Sequence, residues 1–273
     1  MRVLAGQKTL LARDVHDIRY DPVHDEVLLT NPRAQAILVF RGGATGEEPP
    51  IRVIQGPHTQ LVGSPGGGPL DRLEVDPVHN EIFVPVAGSV LVFARDAVGD
   101  VAPVRAISGP ATQLEVASSV VVDPVHNLMI VASGPDIHEA VAGATASRIV
   151  QKRGAGKLLI FNRTDSGNVK PRAIIEGPRT RITRINQMQV YPPTGWIIAT
   201  QPGPADQQEP EGAFVGIWSI NDNGDAPPRW VLRGPKSTLK KPRGVALDPK
   251  HKELIVADMR LNAILTFYFP EIF

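Results

Sequence analysis

Short apolar runs recur along the chain at similar intervals: Val27-Leu28-Leu29, Ile82-Phe83-Val84, Met129-Ile130-Val131, Ile197-Ile198-Ala199 and Leu254-Ile255-Val256. They lie in segments that alternate with polar positions, the period-two pattern of strands with buried faces, and no 3.6-residue helical period competes with it. An Asp-Pro-x-His turn stands before each run: Asp21-Pro22-Val23-His24, Asp76-Pro77-Val78-His79, Asp123-Pro124-Val125-His126 and Asp248-Pro249-Lys250-His251, with Tyr191-Pro192-Pro193-Thr194 as a degenerate copy. Asp accepts bonds from nearby backbone N–H groups in such a turn, and Pro presets φ. Each unit then closes on an Arg-led strand ending in Gly-Pro: Arg52 to Pro57, Arg105 to Pro110, Arg172 to Pro178 and Arg229 to Pro235.

Several short strands per copy, repeated every 40 to 50 residues or so, are the signature of a β-propeller blade. The expected fold is therefore all-β, a five-bladed β-propeller with four strands per blade in one domain over residues 1–273. The blades are expected at about 12–57, 70–110, 117–178, 185–235, and 243–273 joined to 1–10. The last assignment rests on Met1 to Leu10, which matches Ile51 to Leu61 when one residue is skipped before the final Leu. The N-terminal strand would thus complete the C-terminal blade and close the ring, removing exposed sheet edges. The competing expectation is a piece of a longer array cut at an equivalent point.

Two blades carry insertions between their second and third strands, Gly134 to Gly156 and Gln201 to Gly212. Both are expected to overhang one sector of one face. Long loops within a compact domain are often functional.

The unit from Pro242 through Phe267 resembles an NHL repeat, with Pro242-Arg243-Gly244, two apolar positions, Asp248, a strand ending at Ala257-Asp258, Asn262, and a strand ending in Thr266-Phe267. The other four units replace Pro-x-Gly with Val15-His16-Asp17, Leu70-Asp71-Arg72, Ala117-Ser118-Ser119 and Ile185-Asn186-Gln187. The resemblance implies a propeller, and six blades are common in that family. Relatives with similar sheets include gluconolactonase-like calcium hydrolases, peptidylglycine lyases and scaffolding or RNA-binding proteins, so it does not choose an activity.

The formal charge of +1 leaves no global field for a polyanion, and nucleic acid is not an expected partner. Without cysteine there is no disulfide, thiolate metal site or cysteine nucleophile. No leader or membrane-spanning run is visible, yet an exported bacterial protein with its leader removed would read the same, so the compartment stays open. No nucleophile elbow, P-loop or dinucleotide fingerprint occurs, and Gly63 to Gly68 reads as a flexible link.

His24, His79, His126 and His251 occupy equivalent turns on different blades. Packed sheets lie about 10 Å apart, and zinc ligands approach within about 2 Å, so a turn-stabilising role is expected instead of a shared metal. The polar positions ahead of each innermost strand are expected at one mouth of the channel. There His16, Asp17, Asp71, Arg72, Asn186, Gln187, Arg243 and Asp258 form the candidate ligand-binding set. The bland counterpart is a solvated channel mouth. Basic residues cluster in two links, Arg179, Arg181 and Arg184, then Lys236, Lys240 and Lys241. Here the counterpart is an ordinary solvated face.

The first functional expectation is a non-enzymatic recognition or scaffold propeller, without a cofactor, holding a protein or glycan partner on the insertion-bearing face. The alternative is a calcium-dependent lactonase-like hydrolase or lyase. It needs Asp17, Asp71, Asn186 and Asp258 to supply oxygen ligands, with His16 beside Asp17 as general base.

Overall fold

The computed structural model describes residues 2–12, 15–61, 70–134, 156–203 and 212–273. Most of both insertions and all of Gly63 to Gly68 therefore lie outside the described residues. The fold is all-β, built from five antiparallel sheets, the blades of a five-bladed β-propeller. By contacts the chain divides into two units, residues 1–120 with 165–169, and residues 121–164 with 170–273.

The first unit holds two complete sheets. One runs β1 (Ile18–Asp21), β2 (Glu26–Asn31), β3 (Ala36–Arg41), β4 (Arg52–Gln55), and the other β5 (Glu74–Asp76), β6 (Glu81–Val86), β7 (Ser89–Ala94), β8 (Arg105–Ser108). Strand β9 (Val116–Asp123) carries the chain into the second unit. There it pairs in the order β12-β11-β10-β9 with β10 (Leu128–Gly134), β11 (Lys157–Asn162) and β12 (Ala173–Ile175). The next sheet contains β13 (Gln187–Tyr191), β14 (Trp196–Gln201), β15 (Phe214–Ser219) and β16 (Trp230–Leu232). The last contains β17 (Pro242–Asp248), β18 (Glu253–Asp258) and β19 (Ala263–Tyr268).

The turns form as their residues dictate. Asp21 accepts from the backbone N–H of Val23 at 2.9 Å and of His24 at 3.1 Å, and the His24 ring donates back to its other oxygen at 2.7 Å. The same Asp–His bond recurs at 2.7 Å in Asp76–His79, Asp123–His126 and Asp248–His251. The repeated histidines are thus turn clasps.

Two further devices escaped the sequence reading. The four strand-ending Gly-Pro pairs, and Gly6-Gln7 likewise, each begin a single 3-10 turn whose buried hydroxyl, Thr9, Thr59, Thr112, Thr180 or Ser237, donates to the carbonyl of Gly6, Gly56, Gly109, Gly177 or Gly234 at 2.6 to 2.7 Å. The outer strands β4, β8 and β12, and the N-terminal segment at Leu4, also bridge in parallel to a glycine: Leu4 to Gly46, Ile54 to Gly99, Ile107 to Gly167 and Ile175 to Gly224. An acidic or amide residue follows each of these glycines, and Asp100, Asn168 and Asp225 accept from the backbone N–H of His58, Ala111 and Arg179 at 2.7 Å. The recurring Thr and the Gly-Asx pairs were the signals available in the sequence.

These equivalences revise the N-terminal match. Leu4 stands where Ile54 does, and Leu10 takes the left-handed position of Gln60, with φ of 57° and 58°. Leu11 therefore matches Leu61, and no residue need be skipped. Among the described residues the last sheet pairs three strands, β17-β18-β19. In that sheet Ile264 is 73% exposed, whereas Ile37, Val90, Leu158 and Val215 at the same register are fully buried.

A second revision concerns the Arg-led strands. Arg52 pairs with Val39 and Arg105 with Val92, at one register. In the second unit that register holds Ala173 and Trp230, opposite Ile160 and Ile217. Arg172 and Arg229 sit one residue earlier, and a one-residue step turns a side chain to the opposite face of a strand.

Candidate functional site

Each unit carries half of the predicted channel-mouth residues. In the first, the His16 ring donates from Nδ1 to Asp71 at 2.5 Å. Arg72 bends over this pair, donating to the carbonyls of Asp71 at 2.7 Å and His16 at 3.1 Å. The partner of His16 is thus Asp71, from the neighbouring repeat. Asp17 is buried, and its carboxylate accepts the backbone N–H of Leu73 from the neighbouring sheet at 3.2 Å.

Below them, Arg19 lies 3.5 Å from Asp17 and 3.4 Å from Glu74, with only 9% of its side chain exposed. Burial pulls the Arg19 guanidinium down, but the Glu74 and Asp17 carboxylates together carry it above its ordinary value. Burial dominates at Glu74 and raises its carboxyl despite Arg19. The inner seam of the first unit is a charged, desolvated lattice.

The second unit repeats the device with neutral groups. The Gln187 amide oxygen accepts the backbone N–H of Val245 at 2.8 Å, the counterpart of Asp17 with Leu73. The buried Thr200 hydroxyl donates to the carbonyl of Arg243 at 2.8 Å. Asn186 continues the ladder through its backbone N–H to the Thr200 carbonyl at 2.9 Å.

Asp258 is buried and accepts the backbone N–H groups of Lys240 and Lys241, both at 2.8 Å, and of Arg260 and Leu261 at 3.0 and 3.1 Å. A carboxylate surrounded by four donors is an anchor for chain segments. It does not present the free oxygens that calcium coordination requires.

The two basic links rest on equivalent anchors. Gln201 occupies in β14 the place of Asp258 in β18, and its Oε1 accepts from Thr183 at 2.7 Å and Arg184 at 3.4 Å. Its Nε2 donates to the carbonyls of Arg181 at 3.0 Å and Gly212 at 2.8 Å. Gly156, the root of the other insertion, donates its N–H to Ile182 at 3.0 Å. A Cβ at Gly156 would meet the Thr183 carbonyl oxygen at 2.8 Å, so the close approach needs glycine. The roots of both insertions are therefore tied to the Arg179–Arg184 link. Neither Gln201 nor Thr200 was singled out in the sequence, because one polar residue ending a strand carries no signal of its partners.

Within these links Arg179, Arg181 and Lys236 are exposed, Arg184 and Lys240 are half-buried, and Lys241 is buried.

No family model matches the chain, and no curated protein sequence does. Among solved structures, a chain from the crystal structure of the mitotic checkpoint complex matches with a TM-score of 0.57 at 11% sequence identity. The match covers 93% of this chain and 62% of that one. It shows a shared propeller architecture.

Among the described residues, no helix is long and apolar enough to cross a membrane.

Proposed function

We propose that this chain is a non-enzymatic recognition or scaffold propeller with NHL-like repeats. It holds a protein or glycan partner through the face that bears the two insertions. One observation carries the reading: the roots of both insertions, Gly156 and Gly212, are hydrogen-bonded to the same Arg-bearing link, directly and through Gln201. The roots of both insertions are thereby held at one cationic segment on a sheet scaffold, and loops carried on such scaffolds commonly bind partners.

The test replaces residues 135–155 and 204–211 by short Gly-Ser linkers and compares cross-linked partners recovered from the source cells. Loss of a specific partner with an unchanged melt is the expected result. Equal recovery by both proteins overturns the reading. A calcium titration of the intact chain accompanies it. Calcium-dependent elevation of the melting temperature, together with lactone or ester turnover, would move the assignment to the hydrolase.

A further inference from the structure

The two units treat their cations differently. In the first, Arg52 donates to both Glu26 oxygens at 2.7 and 2.6 Å, and Arg95 reaches the same carboxylate at 2.8 Å. Arg105 clamps Glu81 in the same way, with one bond at 2.9 Å. In the two four-stranded sheets of the second unit the Glu position of the second strand is Leu128 or Trp196; the last sheet keeps Glu253 there but pairs no fourth strand to carry an Arg among the described residues. The Arg register is Ala173 or Trp230. Arg172, displaced by one residue, is exposed without an ion pair among the described residues, as are Arg179, Arg181, Arg233 and Lys236. Arg229 is the exception, paired with Asp222 at 2.6 Å. Glu176 is the one carboxylate between residues 172 and 184, and none lies between 229 and 243.

From this imbalance we infer that the two links of the second unit form a docking surface for an acidic polypeptide segment. The inference rests on the recognition reading above and narrows its partner. Thr200 and Gln201, adjacent in β14, join the links: Gln201 holds residues 181–184, and Thr200 holds the carbonyl of Arg243 just beyond Lys240 and Lys241.

The backbone N–H groups that would cradle a single phosphate or sulfate are already engaged. Arg179 donates to Asp225, Thr183 and Arg184 donate to Gln201, and Lys240 and Lys241 donate to Asp258. What remains is a set of separate side-chain cations, of which Arg172, Arg179, Arg181 and Arg233 present forks suited to carboxylates. No exposed aromatic stands among these link residues to stack on a sugar ring. Carboxylates spread along a flexible chain fit this surface best, and opposite potentials favour such an encounter.

The experiment uses the full chain and fluorescence anisotropy with a Glu-rich peptide, its Gln-rich counterpart and a sulfated polysaccharide, at low and physiological salt. The Glu peptide should bind and the Gln peptide should not. Combined Arg179→Glu, Arg233→Glu and Lys236→Glu should weaken binding at least about tenfold through like-charge repulsion. Lys8→Glu, on the equivalent turn of the first unit, should leave binding unchanged. If the triple variant melts lower, the neutral Arg233→Gln decides, with a smaller loss expected at unchanged melt.

Equal binding of both peptides, equal loss with Lys8→Glu, or no peptide binding overturns the inference. Binding of the polysaccharide alone overturns it too, yet leaves the recognition reading standing. That reading falls if the insertion-replaced chain recovers the same partners or if the calcium titration and turnover assays assign a hydrolase.

Discussion

The inner and outer seams of the two units use one backbone plan with opposite chemistry. In the first unit Asp17 ties the backbone of Leu73, Arg19 lies between Asp17 and Glu74, and Arg52 and Arg105 clamp Glu26 and Glu81. In the second, Gln187 ties Val245, and Trp196 meets Trp230 edge to face at 5.0 Å where the first unit has its Glu–Arg clamp. The repeat therefore fixes where a cross-strand pair must stand but leaves its polarity free, since ionic and aromatic pairs both stabilise opposite positions of a sheet. The consequence lies at the surface. Internal carboxylates neutralise the first unit's clamp arginines, whereas the second unit's exposed cations remain available.

The strongest test of this contrast is Arg19→Leu. It leaves Asp17 and Glu74 desolvated without their cation, and breaking a buried pair on one side costs about 3 to 5 kcal/mol. Chemical denaturation should show the loss. Gln189, at the corresponding place in β13, should tolerate Leu with far less effect.

Next in size are the buried hydroxyls of the Gly-Pro turns. Thr59→Val and Thr180→Val each remove a donor to a glycine carbonyl and an acceptor for the backbone N–H of Leu61 or Ile182. Each should cost about 1 to 3 kcal/mol. The two losses should be alike, because this device is common to both units. A clear difference between them would break the claim of a shared backbone plan.

Acid and alkaline titration should then separate carboxylates within the first unit. Hydrogen bonding to Arg52 is the main cause holding Glu26 below the usual range, against its burial, with Arg95 assisting. Its stabilisation is present above the unfolded pKa and is lost as pH falls through the folded value. Glu74 has the opposite sign: burial raises it, so its contribution is complete below the unfolded pKa and declines as pH rises through the folded value. Melting curves across pH should show a weaker acid-side decline in Glu26→Gln and a weaker decline above it in Glu74→Gln.

The smallest expected change is in stability of the exposed-cation variants. Arg233→Gln and Lys236→Glu should melt within about 0.5 kcal/mol of the parent, as surface substitutions away from anchors do. A larger loss would mean that these side chains hold the fold.

Much of this architecture was legible along the chain. The Asp-Pro-x-His turns, the strand runs and the Arg-led strands gave the sheets to within a residue or two, because turn chemistry and alternation act locally. The register of Arg172 and Arg229 was less legible, since the extra residue before Gly177 and Gly234 matters only once the strand is paired against β11 or β15. Of the candidate mouth residues, His16 and Asp71 do meet, whereas Asp17, Gln187 and Asp258 tie backbone segments together. An Asp or Gln before a strand has the same letter whether it faces a ligand or a neighbour's N–H.

The sequence by itself determined the repeat, its strands and turns, and the concentration of cations in residues 172–243, because these depend on composition and neighbours a few positions away. Only the tertiary structure decided which charges are cancelled. Glu26 and Arg52 meet across two strands, Asp17 and Leu73 across two sheets, and Gln201 gathers a link and an insertion root from either side. Partnership at that range is set by strand register and sheet packing, where one residue's displacement takes Arg172 and Arg229 out of the clamp position.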